Sequence, residues 1–477
     1  MQFEVVMGLE VHVELATESK LFCGCNAKFG AGPNQHTCPA CIGMPGFPPV
    51  LNRAAVEKGM IAAHLTHGVI PPAITFDKKS YFYPDLPTGY QLTQGVAPIC
   101  THGWVEIITS DKNSKKISLK QIHIEQDAGK LVHDGANSLV DYNRLGVALI
   151  EIVSNPDFRS AEEVTAYLTK LQKLLSFAGV SDCKMQEGSM RCDVNISVRK
   201  KGATEYGVRV EIKNMSSLKS IERAIAYEAE RHIDLIESGK GDTLIQETRG
   251  WDDAKGVTYG MREKVDATDY RYFPDSEIPP CTIDDNWKKS VIDSIPESAE
   301  NKLNRLVKEF NIGAKEAAIL TSNIFIAKIF EDMLAQGLQP KTCANWILTE
   351  FLSVLKLEKI DIEEVNINTK QFAHIINLVK EGKLNRNVAK DILTLLVKDN
   401  SFDVDTHITQ NNLLISIKAN ELDTIIEELI AQNPKPVAEF KAGNEKVITF
   451  FMGQVMKRTS GKADFKTVSE LIKSKLK

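Results

Sequence analysis

The sequence predicts an α+β protein in which a domain built on antiparallel sheet is followed by an all-α helical domain and a small helical tail domain. Before about residue 293, short runs alternate between apolar and polar residues, as half-buried strands do. From Pro296 onward glycine becomes rarer, and apolar residues recur at the 3.6-residue period of amphipathic helices. At about 150 residues per domain, 477 residues fit three domains, which we place at 1–292, 293–405 and 406–477.

The first domain is expected to contain at least six strands and two helices. Alternation predicts strands at Phe3–Leu15, Trp104–Ile108, Ile117–Ile124, Val147–Val153, Cys192–Val198 and Gly207–Ile212. Ser160, followed three residues later by Glu163, resembles a capping box that opens a helix over Val164–Ala178. Ser220–Ser238 has apolar residues at helical spacing and is predicted as the second helix.

The remainder of the chain is predicted to be helical. One apolar stripe is formed by Leu303, Leu306, Val307 and Phe310, and the same period continues through Ile324–Leu334, Cys343–Leu355 and Phe372–Val379. The segment around Asn433–Pro436 belongs to a final group of about three short helices, which ends with Thr467–Leu476.

Composition and charge exclude several classes of protein. With 43% hydrophobic and 25% charged residues, the chain can bury a large core and is not globally disordered. The net charge of -5 excludes a wholly basic nucleic-acid-binding protein, so any contact with RNA must come from a local patch. Val437–Lys477 is such a patch, with nine basic residues against four acidic ones, although a solvated lysine-rich face is the alternative.

The chain is expected to be cytoplasmic and to have no membrane partner. No apolar run approaches the ~18 residues that a membrane-spanning helix needs. Met1–Glu4 contains an acid and no base, unlike a secretory signal. A bacterial type of protein fits best, and an organellar location stays open.

Four of the nine cysteines form a spacing that is typical of a metal site. Cys23 and Cys25 make a CxC pair, and Cys38 and Cys41 make a CxxC pair after a loop that contains glycine and proline. Four thiolates can complete a tetrahedral zinc shell with no open position, so the predicted zinc is structural. Four unrelated reduced thiols are the alternative interpretation. The odd total and this spacing argue against a disulfide framework.

The predicted strands carry acidic and basic side chains on their polar faces. The acids are Glu10, Glu125, Glu151, Asp193 and Glu211, and the bases are Lys79, Arg191, Arg209 and Lys213, with His12 next to Glu10 on one face. A single polar face is the ordinary appearance of a solvated strand, but five in one domain favour a site. Clustered carboxylates bind hard cations and clustered bases bind phosphoryl oxygens, which together suit metal-assisted phosphoryl transfer. His12 is an unusual ligand for Mg²⁺, so Mn²⁺ is an accepted alternative.

If ATP binds, it binds on a sheet surface, because the sequence has no GxxxxGK[ST] loop and no GxGxxG turn between a strand and a helix. Two aromatic, proline-containing loops, Tyr81–Pro87 and Asp269–Pro274, are candidates for stacking on a base or ribose. Ordinary packing is the alternative role for both.

The chain resembles a known family over essentially its whole length. The matching stretches are Gly8–His12, Tyr81–Gln91, Ile122–Glu125, Asp127–Lys130, Asn143–Arg144, Leu149–Val153, Met185–Asn195, Glu211–Asn214, Asp269–Pro274 and Gly453–Lys457. They are similar to the B-subunit family of the aspartyl/glutamyl-tRNA(Asn/Gln) amidotransferases, the GatB family. Three positions depart from the family pattern without removing a site residue: Gln126 replaces an acid, Ala148 replaces a proline, and Asp275–Glu277 replaces Glu-Pro-Asp.

The resemblance implies both an activity and partners. Members of this family use ATP to phosphorylate the side-chain carboxylate of Glu-tRNA(Gln) or Asp-tRNA(Asn), and ammonia from a glutaminase (amidase) partner, the A subunit, then displaces the phosphate. The small C subunit completes the heterotrimer. The expected fold is a cradle domain with the catalytic site, a helical domain and a tail that contacts tRNA, here through Lys457 and Arg458.

The resemblance also implies ligand roles. It places Mg²⁺ at Glu10, His12, Glu125 and Glu151, puts Asp193 and Glu211 near a second ion, and makes Lys79, Arg191 and Lys213 phosphate or carboxylate binders. Two other functions are carried as alternatives. One is a stand-alone two-metal hydrolase of phosphate esters, and the other is a tRNA-binding scaffold with a vestigial site.

Overall fold

The structure is a computed structural model. It describes residues 3–263, 270–362, 365–414, 419–441, 447–459, 463 and 465–476. The chain divides into two compact units, Met1–Ser298 and Ala299–Lys477.

All the strands found among the described residues belong to the first unit. They are β1 (Phe3–Glu14), β2 (Ala73–Ile74), β3 (Asp77–Ser80), β4 (Tyr90–Thr93), β5 (Cys100–Thr101), β6 (Trp104–Ile108), β7 (Ser114–Gln126), β8 (Lys130–Asp134), β9 (Asn137–Asp141), β10 (Ala148–Ser154), β11 (Met190–Lys200), β12 (Val210–Lys213), β13 (Glu247–Asp252), β14 (Val257–Glu263), β15 (Phe273–Pro274) and β16 (Cys281–Thr282). Each of the six predicted strands overlaps an observed one. β13 and β14 were not predicted. Glu247–Asp252 lacks a clean alternation of apolar and polar residues, whereas Val257–Glu263 does alternate but was not recognised as a strand.

The central sheet has nine strands in the order β14-β13-β12-β11-β1-β10-β7-β5, with β6 also paired to β7. Its pairs are antiparallel except β12 with β13, which are parallel. Three smaller sheets are formed by β15-β3-β4, by β16-β2 and by β8-β9. The sheet thus brings together β1, β7, β10, β11 and β12, which carry most of the predicted site residues.

Four α-helices belong to this unit: α1 (Arg53–Leu65), α2 (Ala161–Phe177), α3 (Leu218–Glu237) and α4 (Asp285–Asp293). The Ser160 hydroxyl accepts a hydrogen bond from the Glu163 amide at 3.2 Å and caps α2. The Glu163 carboxylate bonds instead to the Arg159 amide at 2.7 Å, so only half of the predicted capping box forms. α1, α2 and α3 contact strands of the central sheet, α4 packs against α1, and all four contribute to one continuous core with the sheet.

The predicted strand Gly207–Ile212 is shorter in the structure, where β12 begins at Val210. At Gly207 the backbone passes so close to the preceding strand that an added Cβ would lie 2.1 Å from the Val198 carbonyl oxygen. Arg209 therefore precedes the strand, and it is exposed.

The second unit is helical in all its described parts. Its α-helices are α5 (Ala299–Lys308), α6 (Ala314–Leu320), α7 (Ile324–Ala335), α8 (Pro340–Asn345), α9 (Leu352–Glu358), α10 (Thr369–Lys380), α11 (Arg386–Lys398), α12 (Val404–Gln410), α13 (Ala419–Gln432), α14 (Pro434–Lys441), α15 (Val447–Arg458) and α16 (Phe465–Leu476). A π-helical turn, Trp346–Phe351, separates α8 from α9, so the helix predicted over Cys343–Leu355 is not uniform.

This unit has two separate apolar clusters. One runs from Leu306 to Ile408 and the other from Leu422 to Leu476. Four helices, α13 to α16, supply the second cluster, where about three were expected. Within the described ranges of the whole chain, no helix combines the length and the apolar character that crossing a membrane requires.

Candidate functional site

The candidate site lies on the polar face of the central sheet. In β1 the side chains of Leu9, Val11 and Val13 are buried in the core, while Glu10 and His12 are half-buried on the opposite face. Antiparallel pairing then fixes their neighbours, because directly opposed residues share a face. Side chains that are distant in the sequence but lie on neighbouring strands thereby come into contact with one another.

The first set of ligand-type side chains, which we call the histidine group, consists of His12, Glu125 and Glu151. Their ligand atoms all lie within 4.8 Å of one another. His12 Nε2 is 3.5 Å from Glu151 Oε2 and 3.8 Å from Glu125 Oε1. His12 is the cross-strand partner of Glu151, which explains the first contact.

The second set, which we call the acidic group, consists of Glu10, Asp193 and Glu211, and its ligand atoms also lie within 4.8 Å of one another. Glu10 is the cross-strand partner of Asp193. The structure thus divides the predicted metal ligands in a different way from the family resemblance, since the Glu10 carboxylate lies with Asp193 and Glu211 and not with the histidine group. The reason is the register of the strands. Glu10 and His12 are two positions apart along β1, so Glu10 lies beside Asp193 of β11 whereas His12 lies beside Glu151 of β10.

Lysine and neutral donors surround the acidic group. The Lys213 ammonium contacts the Asp193 carboxylate and lies 3.3 Å from Glu211 Oε1. Asn195 Nδ2 donates to Glu10 Oε1 at 3.0 Å, and the Thr248 hydroxyl donates to Glu211 Oε2 at 2.9 Å. Burial lowers the pKa of the Lys213 ammonium, but the two acids outweigh this effect and raise it above its ordinary value. Lys213 therefore keeps its positive charge at this position.

Similar contacts fix the histidine group. His123 Nε2 lies 3.0 Å from Glu151 Oε2, and the Thr93 hydroxyl donates to Glu125 Oε2 at 3.1 Å. Burial opposes the imidazolium form of His123, but the negative charge of Glu151 and the Glu125 hydrogen bond raise its pKa to about 10. The same neighbours raise the pKa of His12 against the effect of burial. In turn, the two histidines hold the pKa of the Glu151 carboxyl well below its ordinary value, although burial opposes this.

Lys79 approaches the same face from the small sheet. It is a residue of β3, and its Nζ lies 4.9 Å from the centre of the Tyr270 ring. Burial opposes its charge, but Glu125, with further contributions from Tyr272 and Glu151, raises the pKa of the ammonium above its ordinary value. A cation is thereby held where it interacts with Glu125 and Glu151 of the histidine group.

The two aromatic loops come together beside Lys79. β15 pairs with β3, which joins the second loop to the strand that precedes the first. The Arg271 guanidinium lies 5.8 Å from the centre of the Phe82 ring, and Phe82 is 76% exposed. Tyr81 and Tyr83 stack with 5.9 Å between their ring centres. Asp269, which the sequence analysis included in the second loop, lies outside the described residues.

Arg191 pairs with an acid that the sequence analysis did not select. Its Nη2 lies 2.6 Å from Asp127 Oδ2, and Arg144 Nε lies 3.6 Å from the same oxygen. Glu14 belongs to this cluster, and burial together with the negative charge of Asp127 raises the pKa of its carboxyl to about 8. Arg191 is opposite His12 in the sheet, so this cluster adjoins the histidine group.

The four predicted cysteine ligands come together. The sulfur atoms of Cys23, Cys25, Cys38 and Cys41 lie within 4.8 Å of one another, and none of these thiols forms a disulfide. The Cys38 amide donates to Cys41 Sγ at 3.1 Å. A hydrogen bond from the Cys23 thiol lowers the pKa of Cys41 to about 5. This Cys₄ cluster could hold a metal ion, and its all-sulfur donor set fits zinc.

Lys457 and Arg458 form the last turn of α15 and are exposed. Arg458 Nη1 lies 2.8 Å from Glu428 Oε2, so part of its charge is neutralised within the chain. Of the other basic residues in the predicted patch, Lys475 contacts Glu427 at 2.6 Å, while Lys446, Lys462 and Lys477 lie outside the described residues.

Sequence reasoning left out several residues that contact the proposed ligands. His123 shares a polar face with Glu125 and lies in the matching stretch Ile122–Glu125, but it was not selected as a site residue. Asn195 shares the alternating polar face of β11 with Asp193 but was not selected, and strand pairing makes it a neighbour of Glu10. Thr93 and Thr248 gave no comparable signal, because a hydroxyl on a short strand has no distinctive pattern. Thr248 reaches Glu211 through strand pairing, and Thr93 reaches Glu125 from the separate small sheet.

Comparison with known proteins agrees with this architecture. A family model described as the GatB/GatE catalytic domain matches residues 5–289, and one described as the GatB domain matches residues 328–476. The chain is 46% identical to the B subunit of the aspartyl/glutamyl-tRNA(Asn/Gln) amidotransferase of Lachnospira eligens, and 45% identical to that of Caldicellulosiruptor saccharolyticus. Each alignment covers 100% of this chain and 99% of the relative.

A B subunit with the same enzyme name, from Clostridium acetobutylicum, is 44% identical over 99% of this chain and 98% of its own length. The two family models together cover most of the chain, and the similarity to these relatives extends from end to end. The chain therefore belongs to the GatB family.

Proposed function

We propose that this chain is the component of an aminoacyl-tRNA amidotransferase that activates the side-chain carboxylate of a misacylated tRNA with ATP and converts it to the amide. The observation that carries this proposal is the meeting of two ligand groups on one sheet face, with Lys79 beside one and Lys213 beside the other. Family membership and the names of the relatives support the same activity.

The two groups fit divalent cations. The acidic group offers three carboxylates, and the histidine group offers two carboxylates and an imidazole, which suit Mg²⁺ with Mn²⁺ as an alternative. The expected set of Glu10, His12, Glu125 and Glu151 is therefore proposed as ligands of two sites, with Glu10 serving the site of Asp193 and Glu211. When bound, such ions neutralise the repulsion between a carboxylate substrate and the phosphates of ATP.

The basic residues are proposed to hold the anionic groups of the reactants. Lys79 and Lys213 each keep a positive charge next to carboxylates. Each ammonium is therefore proposed to bind a phosphate oxygen when ATP is present. The Arg191 guanidinium is held by Asp127, and Arg191 lies opposite His12 in the sheet. The exposed aromatic loops beside Lys79 are proposed to stack on a base or ribose.

The reaction requires two displacements. A carboxylate oxygen of the aminoacyl side chain attacks the γ-phosphorus of ATP, ADP leaves, and an acyl phosphate forms. Ammonia then attacks the acyl carbon, phosphate leaves, and the nitrogen loses a proton to give Gln-tRNA(Gln) or Asn-tRNA(Asn). The first displacement is necessary because an oxide or hydroxide ion would otherwise have to leave from an unactivated carboxylate.

The ammonia is proposed to come from a glutaminase partner, the A subunit, with the small C subunit in the same heterotrimer. The tail is proposed to contact tRNA through Lys457 and Arg458, which are exposed. Zinc is proposed to occupy the Cys₄ cluster in a structural role, because four protein sulfurs leave no open coordination position. The complex is proposed to act in the cytoplasm.

Single-turnover assays of the reconstituted complex test the proposal. ATP labelled with ³²P on its γ-phosphate is mixed with Glu-tRNA(Gln), and formation of ADP, acyl phosphate and Gln-tRNA is followed separately. Glu10→Ala should abolish amide formation, because the acidic group loses a carboxylate, while the glutaminase partner should still bind glutamine. Glu4→Gln is the matched control, since Glu4 is on the same strand but pairs with Arg199 at 2.8 Å.

The outcomes separate the alternatives. Hydrolysis of phosphate esters by the isolated chain without ATP would favour the two-metal hydrolase. If Glu10→Ala leaves Gln-tRNA formation at the wild-type rate, the site is vestigial and the chain is a scaffold. Loss of amide formation in Glu10→Ala but not in Glu4→Gln is the expected result.

A further inference from the structure

The segment between β1 and α1, which contains the Cys₄ cluster, has almost no regular secondary structure. From Leu15 to Asn52 it contains no helix and no strand longer than the isolated bridge between Ser19 and Asn26. A long segment of this kind is uncommon in a compact unit unless it has a function. Turns and scattered backbone hydrogen bonds replace the regular ladders of a helix or sheet here, and a metal ion held by four of its side chains would add a further constraint.

One tip of this segment is hydrogen-bonded to the end of the β8–β9 hairpin. Asn34 Nδ2 donates to the Val140 carbonyl at 2.9 Å, and Asn34 Oδ1 accepts from the Tyr142 amide at 2.8 Å. The Asn34 amide donates to Asp141 Oδ1 at 3.0 Å. Asn34 has a φ of 58°, a conformation that asparagine tolerates better than most residues. These bonds are exposed, so they need a rigid loop to persist.

Asn143, which follows β9, also connects the end of the β8–β9 hairpin to the cysteine-containing segment. Its Oδ1 accepts from the His36 amide at 2.8 Å, and its Nδ2 donates to the Gly32 carbonyl at 2.7 Å. His36 precedes the ligand Cys38 by two residues. The side chain of Asn143 is therefore fastened to the loop immediately before the CxxC pair.

A buried lysine adds a third connection. Lys20 is 0% exposed, and its Nζ donates to the His36 carbonyl at 2.7 Å and to the Tyr142 carbonyl at 3.1 Å. The same ammonium lies 3.8 Å from Cys41 Sγ. A buried cation requires such partners. Four thiolates around Zn²⁺ would carry a net negative charge, which Lys20 is placed to offset.

The next residue after this junction reaches the candidate site. Arg144 Nε donates to the Ala128 carbonyl at 3.0 Å, and its Nη2 donates to the Gly129 carbonyl at 3.1 Å. It also contacts Asp127, which holds Arg191 at 2.6 Å. Asp127 follows Glu125 by two residues. A continuous series of contacts thus leads from the cysteines to the side chains around the histidine group.

We propose that the metal-bound Cys₄ loop positions Arg144, and through it the Asp127–Arg191 pair beside the histidine group, with Lys20 and Asn143 as the positioning residues. The inference rests on the metal proposed for the cysteines but not on the proposed amidation. Spatial contact alone does not establish coupling, so the test must perturb one end and measure the other.

Hydrogen exchange of the full chain without ATP or tRNA measures the far end directly. Two reporters are available, the Asp127 amide, which donates to the Val147 carbonyl at 2.8 Å, and the Gly146 amide, which donates to the Asp127 carbonyl at 2.8 Å. Removing zinc from the wild type with a chelator should make the peptides that contain them exchange about tenfold faster. A peptide from α2 should not change.

Substitutions at Asn143 distinguish a role in positioning the residues around Asp127 from a general loss of folding stability. Asn143→Ala should keep its zinc and its melting temperature within a few degrees, yet reproduce the faster exchange around Asp127. Asn143→Asp, which retains the acceptor for the His36 amide, should restore part of the protection. Asn155→Ala is the matched control, because Asn155 is also half-buried and bonds to Ser118 Oγ at 2.9 Å. It should leave the Asp127 peptide unchanged.

Three results would overturn the inference. The first is a purified chain without metal at the cysteines. The second is removal of zinc, shown by newly reactive thiols, with unchanged exchange around Asp127 and Gly146. The third is an equal effect of Asn143→Ala and Asn155→Ala on those peptides. Because no substrate is present, loss of amidation activity would not produce any of them.

Discussion

Replacing Glu228 with glutamine should destabilise the support beneath the acidic group. Glu228 is 0% exposed in α3, and its carboxylate accepts from Arg231 Nε at 2.9 Å and from the Thr258 hydroxyl at 2.7 Å. Arg249, next to Thr248 in β13, lies 3.6 Å away. Glutamine keeps the shape of the side chain but removes the charge that these partners surround.

The magnitude follows from the pKa of Glu228. Burial raises it, but the contact of His232 Nε2 at 3.2 Å, the hydrogen bonds from Arg231 and the positive charge of Arg231 outweigh that effect and lower the pKa to about 2. An unfolded glutamate has a pKa of about 4.3, so the difference corresponds to about 3 kcal/mol of stability at pH 7. This contribution is fully present above the unfolded value and is lost as the pH falls toward about 2. At pH 3 about 1.4 kcal/mol should remain.

Urea unfolding followed by tryptophan fluorescence measures this difference. Three of the four tryptophans belong to the first unit, and a Trp346→Phe background removes the signal of the second. Glu228→Gln should lower the free energy of unfolding by about 3 kcal/mol at pH 7 and by about half of that at pH 3. Glu230→Gln, at an exposed position of the same helix, should have almost no effect. A loss for Glu228→Gln that is the same at both pH values would refute the electrostatic explanation.

Three further predictions concern the metal sites and the tail. Cys38→Ser should release zinc, measured by metal analysis, whereas Cys281→Ser should retain it, because Cys281 is outside the cluster. Thr93→Val removes a hydrogen bond to a proposed ligand and should weaken Mn²⁺ binding about tenfold by calorimetry, and an unchanged affinity would contradict that role. Arg458→Glu should weaken tRNA binding and reduce its salt slope by about 1, while Glu428→Gln, which releases Arg458, should strengthen binding.

The local pattern of the sequence located six of the nine strands of the central sheet, but it predicted neither the short strands of the smaller sheets nor the helices α1 and α4. Alternation located β1, β6, β7, β10 and β11 to within a few residues, because a half-buried strand must place every second side chain in the core. The CxC and CxxC spacing likewise identified a four-sulfur cluster, since its members are close in sequence. β13 was missed because Glu247–Asp252 is not alternating, whereas β14 was missed although Val257, Tyr259 and Met261 alternate with more polar residues.

The sequence by itself determined which side chains share the polar face of each strand, because that depends only on the period of two. Which of them meet was decided by the tertiary structure. Strand pairing placed Glu10 opposite Asp193, His12 opposite Glu151 and Thr248 opposite Glu211. Packing of the separate small sheet against β7 brought Thr93 to Glu125. Register between segments more than a hundred residues apart depends on the packing of the whole sheet, and no local pattern encodes it.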